Sequence, residues 1–207
     1  MHKLFCLAVN AIDEKTSKIA KVLVKYGISA NLITTIGLGF AILGLNFVAL
    51  GATYWALFCF FMNRIADLLD GAVARLKQIR PFGVFYDLFA DYCAYGLFLW
   101  GFVLFNPDDY APSGAFLLLM FLLSAVSLLG YALTAKLPLL SLNLNSKSCL
   151  LSLTHNLDMF LMIMLLCLLP QFFIVLSIFF GGLLALKSLL VLSSAYYSLE
   201  ISKKGTA

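Results

Sequence analysis

From Asn31 to Leu50 the chain runs without one charged side chain. A helix needs roughly 20 apolar residues to cross a bilayer, and this stretch supplies them. Comparable stretches recur. The sequence predicts spans over about 31–50, 53–76, 83–105, 113–137, 154–169 and 171–198. The composition agrees, with 63% hydrophobic residues, 12% charged and a mean hydropathy of +1.01. Soluble domains average about 25% charged residues. The expected architecture is an all-α membrane protein with six transmembrane helices. An amphipathic juxtamembrane helix over residues 1–27 precedes a single membrane domain over 28–207.

That first segment spaces Ile12, Ile19, Val22, Leu23 and Tyr26 against Lys15, Lys18, Lys21 and Lys25. The pattern suits a helix lying at the bilayer surface with its lysines among anionic headgroups. Gly27 is placed to end it, as Gly51 is to end the first span. The run Leu4–Val9 is too short for the core of a secretory signal, so insertion is expected to begin with the first span.

The net charge of +4 is a matter of topology and gives no nucleic-acid signal. Lys3, Lys15, Lys18, Lys21 and Lys25 precede the first span. Arg64, Arg75, Lys77 and Arg80 surround the second loop, Lys136 and Lys147 fall in a later one, and Lys203 and Lys204 close the chain. The stretch Asn106–Pro112 reads as an outer loop with Asp108 and Asp109 and no cation. The positive-inside rule then puts both termini and the second loop in the cytoplasm. Five scattered cysteines support neither a disulfide framework nor a zinc site.

Four of the ten acidic residues gather around that second loop. Asp67 and Asp70 are three apart, and Asp87 and Asp91 are four apart, so each pair shares a helix face. Two antiparallel helices joined by a short loop can turn these faces together into a carboxylate cup. Carboxylates at membrane depth are costly and mark an ion, metal or substrate path. Hard divalent cations would neutralise them, and Mg2+ or Mn2+ suits a site that also binds phosphate. Two such ions can clamp the attacking and leaving oxygens of a phosphoryl transfer. Gly71 and Ala74 keep the first helix face low, Gly83 keeps the second open, and Arg75 offers a planar cation for phosphate. The competing reading is a purely structural salt-bridge network around Arg64, Arg75, Lys77 and Arg80.

Asp67, Asp70, Gly71, Ala74, Arg75, Gly83, Asp87 and Asp91 together resemble the signature of the CDP-alcohol phosphotransferase family. That signature reads D-x2-D-G-x2-A-R, then G-x3-D-x3-D. The intervening gap, residues 76–82, is one residue shorter here than the family usually has. The resemblance implies an integral-membrane transferase that moves a substituted phosphate from a CDP-linked alcohol to an acceptor hydroxyl and releases CMP. CDP-diacylglycerol is the expected donor. It implies Asp67, Asp70, Asp87 and Asp91 as metal ligands for two ions, and Asp91 also as the general base. Gly71, Ala74 and Arg75 would line the nucleotide site. Asn31 and Thr34 resemble an Asn-x-x-Thr found at this depth and would face the nucleotide, although Asn31 is equally placed to cap its helix. The resemblance further implies membrane lipid as a partner and a homodimer.

Arg80, Lys136, His155 and Asp158 are candidates for the acceptor site, with His155 and Asp158 spaced to pair; interfacial capping and snorkelling would place the later ones equally well. Tyr92 follows Asp91 where family members resembling phosphatidylglycerophosphate or cardiolipin synthases commonly carry lysine and inositol-type members arginine, which points to a different acceptor. The alternative function is a cation channel or transporter. It would need polar residues through the whole bilayer, whereas the acids crowd at one face and Asn46 and Lys187 are the main exceptions.

Overall fold

The computed structural model describes the backbone of residues 16–77, 80–135 and 146–204, and side chains within 16–77, 80–131 and 157–196. Among the described residues there are seven α-helices: α1 (helical over 16–25), α2 (Ala30–Ala49), α3 (Thr53–Leu76), α4 (Pro81–Phe105), α5 (Pro107–Ala135), α6 (Ser146–Leu168) and α7 (Phe173–Lys204). Two compact units contain them, Met1–Gly101 and Phe102–Ala207.

The first unit turns where glycine permits it. Gly27 has φ +78°. Its N–H donates to Val24 C=O (3.0 Å) while Ile28 N–H donates to Leu23 C=O (3.0 Å). Gly51, at φ +75°, repeats the pattern, with Gly51 N–H to Val48 C=O and Ala52 N–H to Phe47 C=O, both 2.8 Å. These paired bonds close both helices with the left-handed turn that only glycine enters without strain. Ser29 then caps α2, its Oγ accepting from Leu32 N–H at 3.3 Å.

Small residues let α2 approach its neighbours. Its buried stripe is Ile33, Thr34, Gly37, Ala41, Gly44 and Val48. A Cβ on Gly37 would stand 3.0 Å from Ala66 Cβ of α3, and one on Gly44 would stand 2.3 Å from the Phe98 ring of α4. Close backbone approach through small side chains is how helices associate where lipid removes the usual hydrophobic drive. Ala20 of α1 is buried with Ile33, Ala66, Ala72 and Val73, flanked by Leu23 and Val24. Ile19, Val22 and Tyr26 stay exposed.

In the second unit aromatic rings fill the space instead. Phe173 stacks on Phe102 (5.3 Å) and on Tyr110 (4.5 Å), and Tyr110 Oη donates to Pro170 C=O at 3.1 Å. Met162, Ile163 and Leu166 of α6 are fully buried.

Among the described residues, four helical stretches are long and apolar enough to cross a membrane: Ala30–Ala49, Pro81–Phe105, Pro107–Tyr131 and Pro170–Tyr196. The last includes a 3₁₀ turn, Pro170–Phe172, where the sequence suggests a tight turn. α3 has the length, at 24 residues, but carries Arg64, Asp67, Asp70 and Arg75, the charges of the site itself. The part of α6 whose side chains are described, Leu157–Leu168, is apolar and shorter than a span.

One expectation is corrected. Asn106–Pro112 is no loop: α5 begins at Pro107. Proline at the first helical position is already set for the helix and lacks only an N–H that would go unused there. Asn106 Nδ2 donates to Asp109 Oδ2 at 2.8 Å, and Tyr110 N–H donates to Asn106 C=O at 2.9 Å. Asp108 and Asp109 face the positive end of the helix dipole. α6 likewise starts earlier than expected, at Ser146.

Candidate metal and nucleotide site

The two acidic pairs do converge. Asp67 and Asp70 on α3 and Asp87 on α4 each offer a carboxylate oxygen, and the three lie within 4.8 Å of one another. Around one Mg2+ ion, with bonds of about 2.0–2.1 Å, ligand oxygens stand roughly 3–4 Å apart, so a small inward movement would complete the group. Asp70 is 3% exposed. Thr34 Oγ1 of α2 donates to its Oδ2 at 2.6 Å, with Ala30 C=O a second acceptor in reach at 3.1 Å. Asp70 Oδ1 is buried with no hydrogen-bond partner. A buried acceptor without a donor costs about 1–3 kcal/mol, and a hard cation would remove that cost. The donor set, all oxygen and all anionic, fits Mg2+ or Mn2+.

Asp91 is held differently. Arg64 Nη2 donates to Asp91 Oδ1 at 2.8 Å, and Arg64 Nη1 lies 3.5 Å from Asp67 Oδ2. Arg64 also donates to Asn63 Oδ1 from Nε (3.0 Å) and Nη2 (2.7 Å), and from Nη1 to Tyr95 Oη (3.0 Å). Its guanidinium carbon stands 4.8 Å from the Tyr95 ring centroid. All four carboxylates line one narrow hollow beneath Thr34, Gly37 and Asn63.

Beside this hollow opens a pocket of about 460 Å³. Its walls are Ser29, Ala30, Asn31 and Thr34 from the start of α2, Asp70, Gly71 and Ala74 from α3, Lys77 and Arg80 from the loop, and Gly83, Val84 and Asp87 from α4. Glycine and alanine face inward where a larger side chain would fill the space. A Cβ on Gly83 would stand 3.4 Å from Asn31 Oδ1, so Asn31 faces α4 across the pocket and Ser29 serves as the cap instead. Lys77 Nζ donates to Ile28 C=O at 2.9 Å and ties the loop to the α1–α2 turn.

The structure thus gathers Asn31, Thr34, Asp67, Asp70, Gly71, Ala74, Arg80, Asp87 and Asp91 in the first unit. Arg75 is exposed, and its guanidinium nitrogen comes within 3.7 Å of where a Gly71 Cβ would stand. Asp158 belongs to the second unit, where it forms an ion pair with Lys187. Lys136 and the side chain of His155 lie outside the described residues, and with them the suggested His155–Asp158 contact. Ser29, Asn63 and Tyr95 were not singled out from sequence; Arg64 and Lys77 were named only in the competing salt-bridge network, and Arg64 does pair with Asp67 and Asp91. The lysine was visible only as one more loop cation. Nothing in a linear sequence joins Arg64 to a partner 27 residues away.

A helical membrane protein with a carboxylate cluster able to hold a cation beside a pocket is the class that fold and site define. The chain belongs to the CDP-alcohol phosphatidyltransferase family, whose sequence model matches residues 27–192. It is similar to the inner membrane protein YnjF of Escherichia coli strain K12, 34% identical over 183 residues that span 87% of this chain and 89% of that protein. Its fold is similar to that of the Mycobacterium tuberculosis phosphatidylinositol phosphate synthase PgsA1. The form with CDP-DAG bound superposes with a TM-score of 0.64 at 18% identity, covering 88% of this chain and 92% of that one. The form in complex with manganese and citrate gives 0.58 at 17% identity, covering 88% of each. The chain is accordingly an integral membrane protein of a transferase family.

Proposed function

We propose that the protein transfers a substituted phosphate from CDP-diacylglycerol to an acceptor alcohol, releasing CMP, in phospholipid biosynthesis. The observation that carries this reading is the group Asp67, Asp70 and Asp87, with a partnerless buried oxygen on Asp70, opening onto a pocket lined by small residues. The PgsA1 structures, one with CDP-DAG and one with manganese, support the donor and the ion.

In this reading Asp67, Asp70 and Asp87 hold Mg2+ or Mn2+, which when bound neutralises the phosphate oxygens and the charge developing on the leaving group. Gly71 and Ala74 let the cytidine diphosphate lie against α3. Asn31 and Thr34 bound the pocket on the α2 side, and Arg75 offers a fork to the phosphates from its rim. Asp91 takes the proton of the acceptor hydroxyl. The freed oxygen attacks the phosphorus that carries the diacylglycerol, the bond to the bridging oxygen breaks, and that oxygen leaves with CMP. Arg80, Lys136 and His155 are the candidates for acceptor recognition. Asp158, engaged by Lys187, is assigned to packing within the second unit.

Six spans put both termini and the pocket on the cytoplasmic side in this proposal. Residues 1–27 lie along the headgroups, the donor enters from the surrounding lipid, and the protein works as a homodimer.

The test is CMP release from CDP-diacylglycerol by purified protein across a panel of acceptor alcohols, with Mg2+ or Mn2+. We expect release with one acceptor, loss on chelation, and a fall of about 10²–10⁴-fold in Asp91→Asn, the usual contribution of a general base. Full activity in that variant would remove Asp91 from the role. Release from a CDP-linked headgroup alone would replace the lipid as donor.

A further inference from the structure

α1 presents three faces rather than two. Successive residues of a helix turn by about 100°, so Leu23, Ala20 and Val24 fall on one side. They gather in one cluster with Ile33 of α2 and Ala72 and Val73 of α3. Beside them runs a stripe of Lys18, Lys21 and Lys25, all exposed. The remaining sector carries Ile19, Val22 and Tyr26, at 49%, 53% and 78% exposure. An apolar sector left over once the protein contact is made, with lysines along its edge, suits a helix lying in a negatively charged bilayer surface. The chain puts it there, because α2, long and apolar enough to span a bilayer, begins at Ala30.

The same helix is connected to the pocket. Gly27 closes it, and the next residue, Ile28, accepts at its C=O from Lys77 Nζ at 2.9 Å. Lys77 itself ends α3, its backbone extended and its N–H on Val73 C=O. Ser29, Ala30 and Lys77 all line the pocket. One side chain thus ties the end of α1 and the start of α2 to the end of α3, across the space proposed for the nucleotide. We propose that α1 is a docking surface for anionic headgroups, and that Lys77 is the positioning residue through which its seating tightens the pocket on the donor. On a neutral surface the Gly27 turn and the Ser29–Ala30 wall keep their freedom, and nucleotide binding must order them. On an anionic surface the lysines hold α1 flat and that order is already present. The protein then binds its donor best where the leaflet is negatively charged. The inference rests on the transfer reaction proposed above for its kinetics, but CDP binding tests it without turnover.

The experiment places the full chain in nanodiscs of phosphatidylcholine alone or mixed with phosphatidylglycerol. It measures CDP affinity with Mn2+ present, the donor KM at a fixed mole fraction of donor, and amide hydrogen exchange over residues 16–28. The forms compared are wild type, the triple variant Lys18→Gln/Lys21→Gln/Lys25→Gln, Lys77→Met and Lys77→Arg. In wild type, phosphatidylglycerol should slow exchange over α1. It should also tighten CDP binding and lower the donor KM by roughly fivefold, the effect of about one lysine at an anionic surface, with kcat little changed. High salt should abolish the response. The triple variant should match wild type on neutral lipid and respond to phosphatidylglycerol by less than about twofold. Surface charge acts on ions and nucleotide equally in both forms, so the difference belongs to α1. Lys77→Met should keep the slowed exchange of α1 without the gain in CDP affinity or KM. Lys77→Arg, which keeps a donor within reach of the carbonyl, should restore the gain. A wild type whose CDP affinity and KM ignore phosphatidylglycerol overturns the proposal, as does a triple variant that responds in full. A Lys77→Met protein that still gains affinity overturns the role of Lys77. If wild type releases no CMP from any donor, the proposed reaction fails while the CDP and exchange comparisons still decide the role of α1.

Discussion

Among the described residues, each compact unit holds a basic side chain against carboxylate, Arg64 in the first and Lys187 in the second, and the two are built to different ends. In the first, Arg64 is shared among Asn63, Tyr95, Asp67 and Asp91, and the carboxylates outnumber the cations around the hollow. In the second, Lys187 meets Asp158, one charge against one. The first arrangement leaves negative charge uncompensated, which is a cost to stability and the basis of an ion site. The second cancels. The packing differs in the same sense. α2 reaches its partners through glycine and alanine, which leaves room beside the carboxylates. α5, α6 and α7 close over stacked aromatic rings and buried methionine and leucine.

The contrast breaks most sharply at Asp70. Asp70→Asn would keep the Thr34 contact and the shape but remove charge from a buried carboxylate oxygen that lacks a partner. CMP release should fall by at least ~10²-fold, and Mn2+ binding, read by the free-ion electron paramagnetic resonance signal, should weaken with it. Thermal stability in detergent should hold or rise, because the uncompensated charge is gone. A variant that loses stability and keeps its metal would reverse this view of the first unit.

The second unit offers a smaller effect of opposite kind. Lys187→Met alone strands Asp158. Losing one partner of a fully buried pair costs about 3–5 kcal/mol, and less is expected here because both side chains keep some exposure. Lys187→Met with Asp158→Leu should recover most of the loss, and neither form should change the acceptor KM. A raised acceptor KM in the double variant would return Asp158 to the acceptor site.

Packing gives the finest comparison. A Cβ on Gly44 meets the Phe98 ring at 2.3 Å, and one on Gly181 meets the Phe116 ring at 2.5 Å. Phe98 is fully buried, while Phe116 is 36% exposed and has open space on one side to move into. Gly44→Ala should therefore cost about 1–3 kcal/mol, the usual range for overpacking, and Gly181→Ala clearly less, as read from unfolding midpoints in the same detergent. Equal losses would mean that both units pack with equal tightness.

These differences were legible in the sequence only where a local rule applies. The spacing of Asp67 with Asp70, and of Asp87 with Asp91, is a helix-face argument and needs no partner. Gly27 and Gly51 end helices because of a backbone preference that belongs to the residue. The stretch Asn106–Pro112 misleads because proline, asparagine and aspartate serve turns and helix starts equally well, and the choice between the two is made by the apolar run on their C-terminal side. Asn31 and Ser29 pose the same ambiguity two residues apart, settled by which side chain reaches Leu32 N–H. The clamp on Asp91 depends on how α3 and α4 are rotated against each other, a property of packed side chains that no periodicity encodes.

The left-handed turn at Gly51 has a consequence for how the protein is made. It joins α2 to α3 with only Leu50, Gly51 and Ala52 between them, and these two helices pack closely along their length. Contacts so near in sequence form early. As the chain leaves the ribosome, this hairpin can enter the bilayer with Thr34 and Asp70 already joined, before α4 has been translated. The newborn hairpin then holds two carboxylates and two arginines, a balanced load for a membrane to accept. The excess negative charge arrives only with α4, when the structure that can use it is already in place.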